Sequence, residues 1–238
     1  MKTHSLRHAV IALLAVVPLL AGGAEAAEPG ATPAWPSPPN PLRDGLSPPL
    51  GDRAITDNGL AQRVMLYEEE PGDPQGRRAA GSVVWSTEIA PSGTGIMPQL
   101  VLRADINIPD RKMEISWKLR RASDLNGSSS HTAELRFKLP PDFASGGIFN
   151  VPGIWMKPAI PAQGAALHGL SVKVKPGYFL IGLSNAPADR ERNIQLLKDR
   201  SVIDIPIVYN NNWRAILQFE KGTPGEQAFQ QAFAAWEE

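Results

Sequence analysis

Residues 100–120 read LVLRADINIPDRKMEISWKLR, and this stretch decides the fold class of the chain. Apolar side chains recur at every second position on both sides of Pro109-Asp110-Arg111, first over Leu100–Ile108 and then over Met113–Leu119. Strict alternation places apolar residues on one face of a β-strand, and proline followed by aspartate favours a turn. The stretch therefore predicts an antiparallel hairpin with one face buried and the other in water.

The same two-residue period continues on both sides of the hairpin. It recurs over residues 132–139, and Leu170, Val172 and Val174 alternate with Ser171 and Lys173. Further strands are predicted at Gln62–Glu68, Gly81–Glu88, Tyr178–Leu183, Val202–Tyr209 and Trp213–Lys221. Several short strands separated by turn residues are typical of a β-sandwich or a barrel.

Two of these strands and two of the connecting turns carry a more specific expectation. Tyr178–Leu183 is almost wholly apolar, which is typical of a strand buried on both faces. Pro206 lies inside Val202–Tyr209 and predicts an edge strand or a bulge. Pro71–Gly76 predicts the turn between the first two strands, and Asn210–Asn212 the turn between the last two.

Two helices are predicted near the C-terminal end. Ala188–Arg200 follows a proline and has apolar residues at helical spacing. In Pro224–Trp236, Thr223 as N-cap and Glu226 form a capping box, and an apolar stripe of Phe229, Phe233 and Trp236 covers the sheet. The predicted fold is mainly β with two helices, an antiparallel β-sandwich or a partly closed barrel over residues 60–238.

The first 59 residues have the composition of an export signal and a linker. Lys2 and Arg7 precede the apolar run Ala9–Leu20, and Ala24-Glu25-Ala26 predicts cleavage after Ala26. This run is shorter than the ~20 residues of a membrane-spanning helix, although an uncleaved anchor is the alternative. Residues 1–26 therefore predict a signal peptide, residues 27–59 a Pro-rich disordered linker, and the mature protein a periplasmic or secreted location without an integral membrane span.

The overall composition excludes several classes of function. The chain has 24 basic and 24 acidic residues, so it lacks the basic surplus of a nucleic-acid-binding protein. It has no cysteine, which excludes disulfides, thiolate metal sites and cysteine nucleophiles. Hydrophobic residues make up 42% of the chain, enough for the globular core on which its stability must depend.

No catalytic motif stands out in the mature chain. His131 and His168 have no other metal-ligating residue at a suitable spacing, so no metal site is predicted. Ser184 follows a predicted strand, but the glycine that a nucleophile elbow needs two residues later is replaced by alanine. No catalytic residue and no cofactor are expected, unless Ser184 and the histidines converge only in the fold.

Residues 143–169 form a long segment with little periodicity. Segments of this kind are often functional, and Trp155, Met156 and Lys157 are candidates for an interaction surface at the rim of an apolar groove. The alternative is that Phe149, Val151 and Ile154 cover one end of the sheet.

The order of elements in the last third of the chain resembles a known family. A helix with Ile194-Gln195-Leu196-Leu197 leads to Ile203–Val208, the turn Asn210–Asn212, a strand Ala215–Phe219 and a closing helix with Phe229 and Phe233. This order resembles that of the invasion-associated locus B family of exported alphaproteobacterial proteins. The resemblance implies a small periplasmic β-rich domain, without a known catalytic site, that is associated with the envelope or with host contact.

Together these features favour an exported, non-enzymatic module that binds a partner protein or an envelope component. Two alternatives remain from the sequence. One is an envelope hydrolase whose site forms from Ser184, His131 or His168 only in the folded chain. The other is a carrier of an apolar ligand, which requires an interior cavity.

Overall fold

The computed structural model describes residues 62–90, 99–122 and 127–238. They form one antiparallel sheet of twelve strands, which curls into a half-barrel, together with two α-helices. The mainly β fold is thereby confirmed, and of the two predicted architectures the partly closed barrel is the one observed. The predicted signal peptide and linker lie outside the described residues.

The elements follow one another along the chain with short connections. The strands are β1 Gln62–Glu70, β2 Asp73–Ala90, β3 Gln99–Ile108, β4 Met113–Arg121, β5 Ser129–Lys138, β6 Ile148–Asn150, β7 Trp155–Lys157, β8 Ala165–Ala166, β9 Gly169–Lys175, β10 Tyr178–Ser184, β11 Val202–Tyr209 and β12 Arg214–Glu220. The helices are the single 3-10 turn Pro109–Arg111, α1 Pro187–Asp199 and α2 Gly222–Trp236. Across the sheet the strands lie in the order β8-β7-β11-β12-β1-β2-β3-β4-β5-β10-β9, and β6 also pairs with β11.

The two end strands of the sheet, β8 and β9, are consecutive in the chain. Two backbone hydrogen bonds fix the link between them. The Leu167 amide donates to the Ile154 carbonyl, and the Ser184 amide donates to the His168 carbonyl, each at 2.9 Å. Between β9 and β6, the Lys173 side chain donates to the Ile148 carbonyl at 2.7 Å. The chain therefore brings the two ends of the curled sheet together, whereas β9 pairs with β10 alone among the described strands.

The core lies on one face of the sheet, called the inner face below, and α2 packs against it. The predicted stripe of α2 is buried there as expected, with Phe229, Phe233 and Trp236 all at most 3% exposed. Phe229 stacks on Trp117 of β4, with ring centroids 6.1 Å apart. Aromatic side chains of α2 thus occupy the inner side of the sheet, where a carrier would need space for an apolar ligand.

The turn between β1 and β2 is shorter than the sequence predicts. Only Pro71-Gly72 turns, and β2 begins at Asp73 rather than near residue 81. Gly76 allows this because it has a φ of +63° within the strand, and a Cβ there would lie 2.4 Å from the Glu68 carbonyl oxygen. Gly76, which the sequence analysis places in a turn, therefore lies within β2, where the lack of a side chain lets β1 and β2 approach closely.

The predicted capping box of α2 is wrong. The helix begins at Gly222, before Pro224, and no side chain caps its first turn. Lys221 stands at the N-cap position and is buried, and its ammonium donates to the Leu197 carbonyl at the end of α1, at 2.5 Å. Burial lowers the pKa of Lys221 to about 8. The Lys221 ammonium thus links the start of α2 to the C-terminal end of α1, where a positive charge is favourable.

Of the two alternatives predicted from Pro206, the edge strand is wrong, because β11 lies between β12 and the short strands β6 and β7. The strand does carry an irregularity, since its register with β6 shifts between Val208 and Tyr209. β7 pairs with Val202–Asp204 and β6 with Val208-Tyr209, so within the described part of the chain residues 205–207 have no partner strand on that side. A proline, which has no N–H to donate, is accommodated in this interruption of the ladder.

The long segment 143–169 contains three short strands, β6, β7 and β8, which complete the sheet.

Candidate functional site

Ser184 and His168, two of the residues considered for catalysis, meet at one carboxylate. Asp189, in the first turn of α1, lies 2.5 Å from His168 Nδ1, and the Ser184 hydroxyl donates to the same side chain. The buried Asn193 side chain accepts from the His168 amide and donates to the His168 carbonyl, both at 2.8 Å. The hydrogen bond from His168 is the main reason that the pKa of Asp189 is lowered.

The order of groups in this cluster differs from that of a nucleophilic triad. A triad places the histidine between serine and carboxylate, so that its ring nitrogen takes the hydroxyl proton. Here Asp189 lies between Ser184 and His168, and the Ser184 hydroxyl also accepts from the Ala186 amide at 3.3 Å. The arrangement fastens the link between β8 and β9 to the start of α1.

His131, the other histidine, lies in a separate buried cluster around Glu238. Its Nε2 atom is 3.0 Å from Glu238 Oε2, and Arg121 and Arg190 pair with the same carboxylate. The imidazole packs against Phe233 and Trp236, with ring centroids 5.9 and 5.2 Å away. Burial, opposed in part by Glu238, lowers the pKa of His131 to about 4. The cluster therefore favours a neutral histidine that anchors the end of α2.

The depressed pKa of His131 predicts a pH-dependent stability. In the unfolded chain the imidazole takes up a proton near pH 6.5, whereas in the folded protein it does so only near pH 4. The free energy of unfolding should fall as the pH drops from 6.5 to 4, by on the order of 3 kcal/mol from this group. Urea titrations over this range should show a flatter pH profile for His131→Gln than for the wild type.

The control for this prediction is Phe233→Leu, because Phe233 packs against His131 and carries no titratable group. Its pH profile should keep the wild-type slope, whatever its absolute stability. Parallel profiles of His131→Gln and the wild type between pH 4 and 6.5 would mean that His131 is not the group responsible.

The predicted interaction surface of Trp155, Met156 and Lys157 is corrected by the structure. Met156 faces the core at 0% exposure and Lys157 is buried at 3%, so only Trp155 remains partly accessible. The Lys157 ammonium lies 3.0 Å from Asp204, whose other oxygen accepts from Gln218 at 2.8 Å. These residues are buried because the segment adds β7 to the sheet next to β11. Burial raises the pKa of Asp204, although both neighbours oppose the shift.

A groove of about 590 Å³ crosses the outer face of β2 to β5. Its charged side chains neutralise one another, with Arg103 2.7 Å from Asp105 and Lys138 3.0 Å from Glu114. An array of exposed, mutually paired charges is typical of a solvated sheet face. The groove therefore offers little net charge for a ligand to recognise.

Strand β9 has three exposed large apolar side chains, more than any other described strand. Leu170 is 80% exposed, Val172 59% and Val174 49%. The sequence pattern predicts a strand here, but it does not indicate that its apolar side faces solvent. Three exposed apolar side chains in a row on an end strand are unusual, because an open edge already invites pairing with other chains.

The strand pairing explains why this apolar side points outward. Directly paired residues share a face of the sheet, and Lys173 of β9 pairs with Phe179, which is fully buried on the inner face. Val172 therefore lies on the outer face, next to its partner Leu180. For the same reason β10 alternates between buried and half-buried residues, and the prediction that it is buried on both faces is wrong.

The apolar surface continues from β9 onto β10. Leu180 and Tyr178 are half-buried on the same outer face. We call the set Leu170, Val172, Val174, Tyr178 and Leu180 the β9–β10 patch. The guanidinium of Arg136 stacks on the Tyr178 ring, with its carbon 4.1 Å from the ring centroid, and forms a polar rim. An apolar patch with an aromatic residue and an arginine at its border has the composition of a protein-binding surface.

The described part of the chain has neither a recognisable metal site nor a membrane-spanning helix. Within the three described ranges, no group of three or more histidine and carboxylate side chains is placed to hold a metal ion. No helix in that part of the chain is long and apolar enough to span a membrane. Comparison with protein-family models, with curated proteins and with solved structures found no match.

Proposed function

We propose that this protein is an exported, non-enzymatic binding module that accepts an extended segment of a partner protein as an additional strand beside β9. The observation that carries the proposal is the exposure of Leu170, Val172 and Val174 on a strand that, among the described strands, pairs with β10 alone. Strand addition at an open sheet edge is a common mode of peptide recognition, with specificity supplied by alternate side chains.

The energetics favour an extended protein segment as the occupant. An end strand presents backbone N–H and C=O groups that a second strand can pair. An added strand would also place its own alternate side chains beside the β9–β10 patch on the outer face. Burying one exposed Leu or Val side chain contributes about 1.5–3 kcal/mol at most, so three of them supply a useful part of a binding free energy.

The proposal includes an exported location, in the periplasm or outside the cell. Export is supported by the charged start, the apolar run and the small residues before Ala27. A binding edge in the periplasm or outside the cell would meet envelope proteins or secreted partners. The resemblance in element order to the invasion-associated locus B family supports an envelope-associated role of this kind.

The proposal predicts binding of a model strand at β9. The probe is a capped, soluble peptide with the repeat Thr-Val-Thr-Val-Thr-Val-Thr, which is neutral and favours an extended conformation. Binding should slow amide hydrogen exchange in Gly169–Lys175 of the full-length protein. Replacing Leu170, Val172 and Val174 together by threonine should weaken binding at least tenfold, because the apolar contacts are lost.

The matched control is Val84→Thr. Val84 is 64% exposed on the outer face of β2, where it pairs with Asp105 of β3, and several strands separate β2 from β9 in the sheet. This variant should bind the peptide as the wild type does, and circular dichroism should confirm that all variants keep the sheet. No peptide-dependent protection of β9 in the wild type would refute the proposal.

A further inference from the structure

The segment of the sequence that contains β9 has no acidic residue over a long stretch. Although acidic and basic residues balance in the whole sequence, none of the residues from Phe143 to Ala188 is aspartate or glutamate. This stretch includes β6 to β10 and holds three lysines. One of them, Lys157, is buried and paired with Asp204. The remaining two, Lys173 and Lys175, are both on the end strand β9.

Neither lysine of β9 has a carboxylate partner among the described residues. The Lys173 ammonium donates to the carbonyls of Ile148 and Phe149, at 2.7 and 3.4 Å. It also lies 5.9 Å from the centroid of the Phe149 ring, whose side chain is itself exposed. Lys175 is exposed at the end of the strand. The edge therefore carries positive charge that ion pairs within the described part of the chain do not neutralise.

The strand geometry places the two lysines on different faces of β9. Lys173 pairs with Phe179 and therefore lies on the inner face, opposite Leu170 and Val172. The register shifts between Tyr178 and Phe179, and Lys175 pairs with Tyr178, so Lys175 lies on the outer face at the end of the β9–β10 patch. In a strand added at this edge, residues beside Leu170 and Val172 meet apolar surface, the intervening residues meet Lys173, and a residue at the end of the patch meets Lys175.

We infer that the segment bound by β9 carries aspartate or glutamate between its apolar residues, facing Lys173, and a further acidic residue beside Lys175 at the end of the patch. This inference rests on the proposed function, since it specifies the partner for the same edge. Opposite charges across paired strands stabilise the pairing, whereas like charges in that position oppose it. A basic segment is rejected for the same physical reason that an acidic one is selected.

The experiment compares three peptides that differ only in their charge. They have the repeats Glu-Val-Glu-Val-Glu-Val-Glu, Thr-Val-Thr-Val-Thr-Val-Thr and Lys-Val-Lys-Val-Lys-Val-Lys, and binding to the full-length protein is measured by fluorescence anisotropy. At low salt the acidic peptide should bind about tenfold more tightly than the neutral one, and the basic peptide more weakly than both. This preference should shrink at high ionic strength, because the charges are exposed.

Variants of the two lysines locate the effect. Lys173→Gln with Lys175→Gln should abolish the preference for the acidic over the neutral peptide while leaving neutral-peptide binding in place. Lys138→Gln is the matched control, because Lys138 is an exposed lysine on β5 that is paired with Glu114. It should retain the preference, which excludes an effect of net charge alone.

The possible results distinguish failure of the acidic-segment inference from failure of the proposed function. If the neutral and acidic peptides bind equally well, the inference is wrong, whereas strand addition at β9 stands. If the lysine variants keep the preference, the charge recognition lies elsewhere and the inference is also wrong. If no peptide binds, the proposed function itself fails.

Discussion

Replacing Trp117 by alanine should reduce the free energy of unfolding by about 3–5 kcal/mol. Trp117 is fully buried in β4, and its ring lies 5.9 Å from that of Trp85, 6.3 Å from Phe219 and 6.1 Å from Phe229. These contacts join three strands of the sheet to α2. The cavity left by an alanine would remove packing from all of them, a loss comparable with the whole stability of a marginal domain. Urea unfolding followed by circular dichroism measures it.

Trp117→Phe provides the comparison for this variant. Within the described residues, the buried indole N–H makes no hydrogen bond. Phenylalanine keeps an aromatic ring in the cluster and removes that donor, so the loss should be below about 2 kcal/mol. A Trp117→Ala variant that is no less stable than Trp117→Phe would show that the aromatic cluster does not hold α2 on the sheet.

Replacing Arg111 by methionine should cost about 3–5 kcal/mol, because it leaves a buried carboxylate without its counter-ion. The Glu68 side chain is only 5% exposed, and Arg111 Nε lies 2.9 Å from one of its oxygens. The hydroxyl of Tyr209 donates to the other oxygen at 2.7 Å, and burial is the main reason that the pKa of Tyr209 is raised. The group joins β1, the 3-10 turn and β11.

The matched control for Arg111→Met is Arg77→Met. Arg77 and Glu70 form an ion pair at 2.8 Å near the exposed end of the β1–β2 hairpin. Its loss should change the free energy of unfolding by less than about 1 kcal/mol, since water screens exposed charges. Adding Glu68→Gln to Arg111→Met should recover part of the stability, because a neutral amide remains in place of the carboxylate. Equal losses for the two arginine variants would contradict a special role for the buried pair.

Strand β9, the proposed binding edge, is held in place by hydrogen bonds to its neighbours. β9 is anchored along its length by β10 and at its start by the hydrogen bonds of His168 with Asn193 and Ser184. The apolar side chains are thus exposed on a strand that is already ordered. Binding then requires little additional ordering of this partner, which favours affinity.

Much of the fold could be predicted from local patterns. The alternation from Leu100 to Leu119 predicts the β3–β4 hairpin, and the stripe Phe229, Phe233 and Trp236 predicts the face by which α2 covers the sheet. The turn at Asn210–Asn212 is also observed, with Asn212 at a φ of +66°. These features follow from the sequence because the side-chain periods of strands and helices are properties of the backbone itself.

The candidate site could not be predicted in the same way. Alternation in Leu170–Val174 shows that one side of the strand is apolar, yet only the pairing of Lys173 with Phe179 decides that this side faces solvent. Likewise Met156 and Lys157 resemble surface residues until β7 joins β11 and buries them. The meeting of Ser184, His168 and Asp189 depends on the connection of β8 to β9.

The sequence by itself thus determined most of the longer strands, the two helices and the apolar face of α2, because these depend on neighbours a few residues apart. Tertiary structure alone decided which apolar sides are covered, since that depends on the order and register of strands that are distant in the chain. The clearest example is β9, whose exposed apolar side chains and two lysines are placed by its pairing with β10.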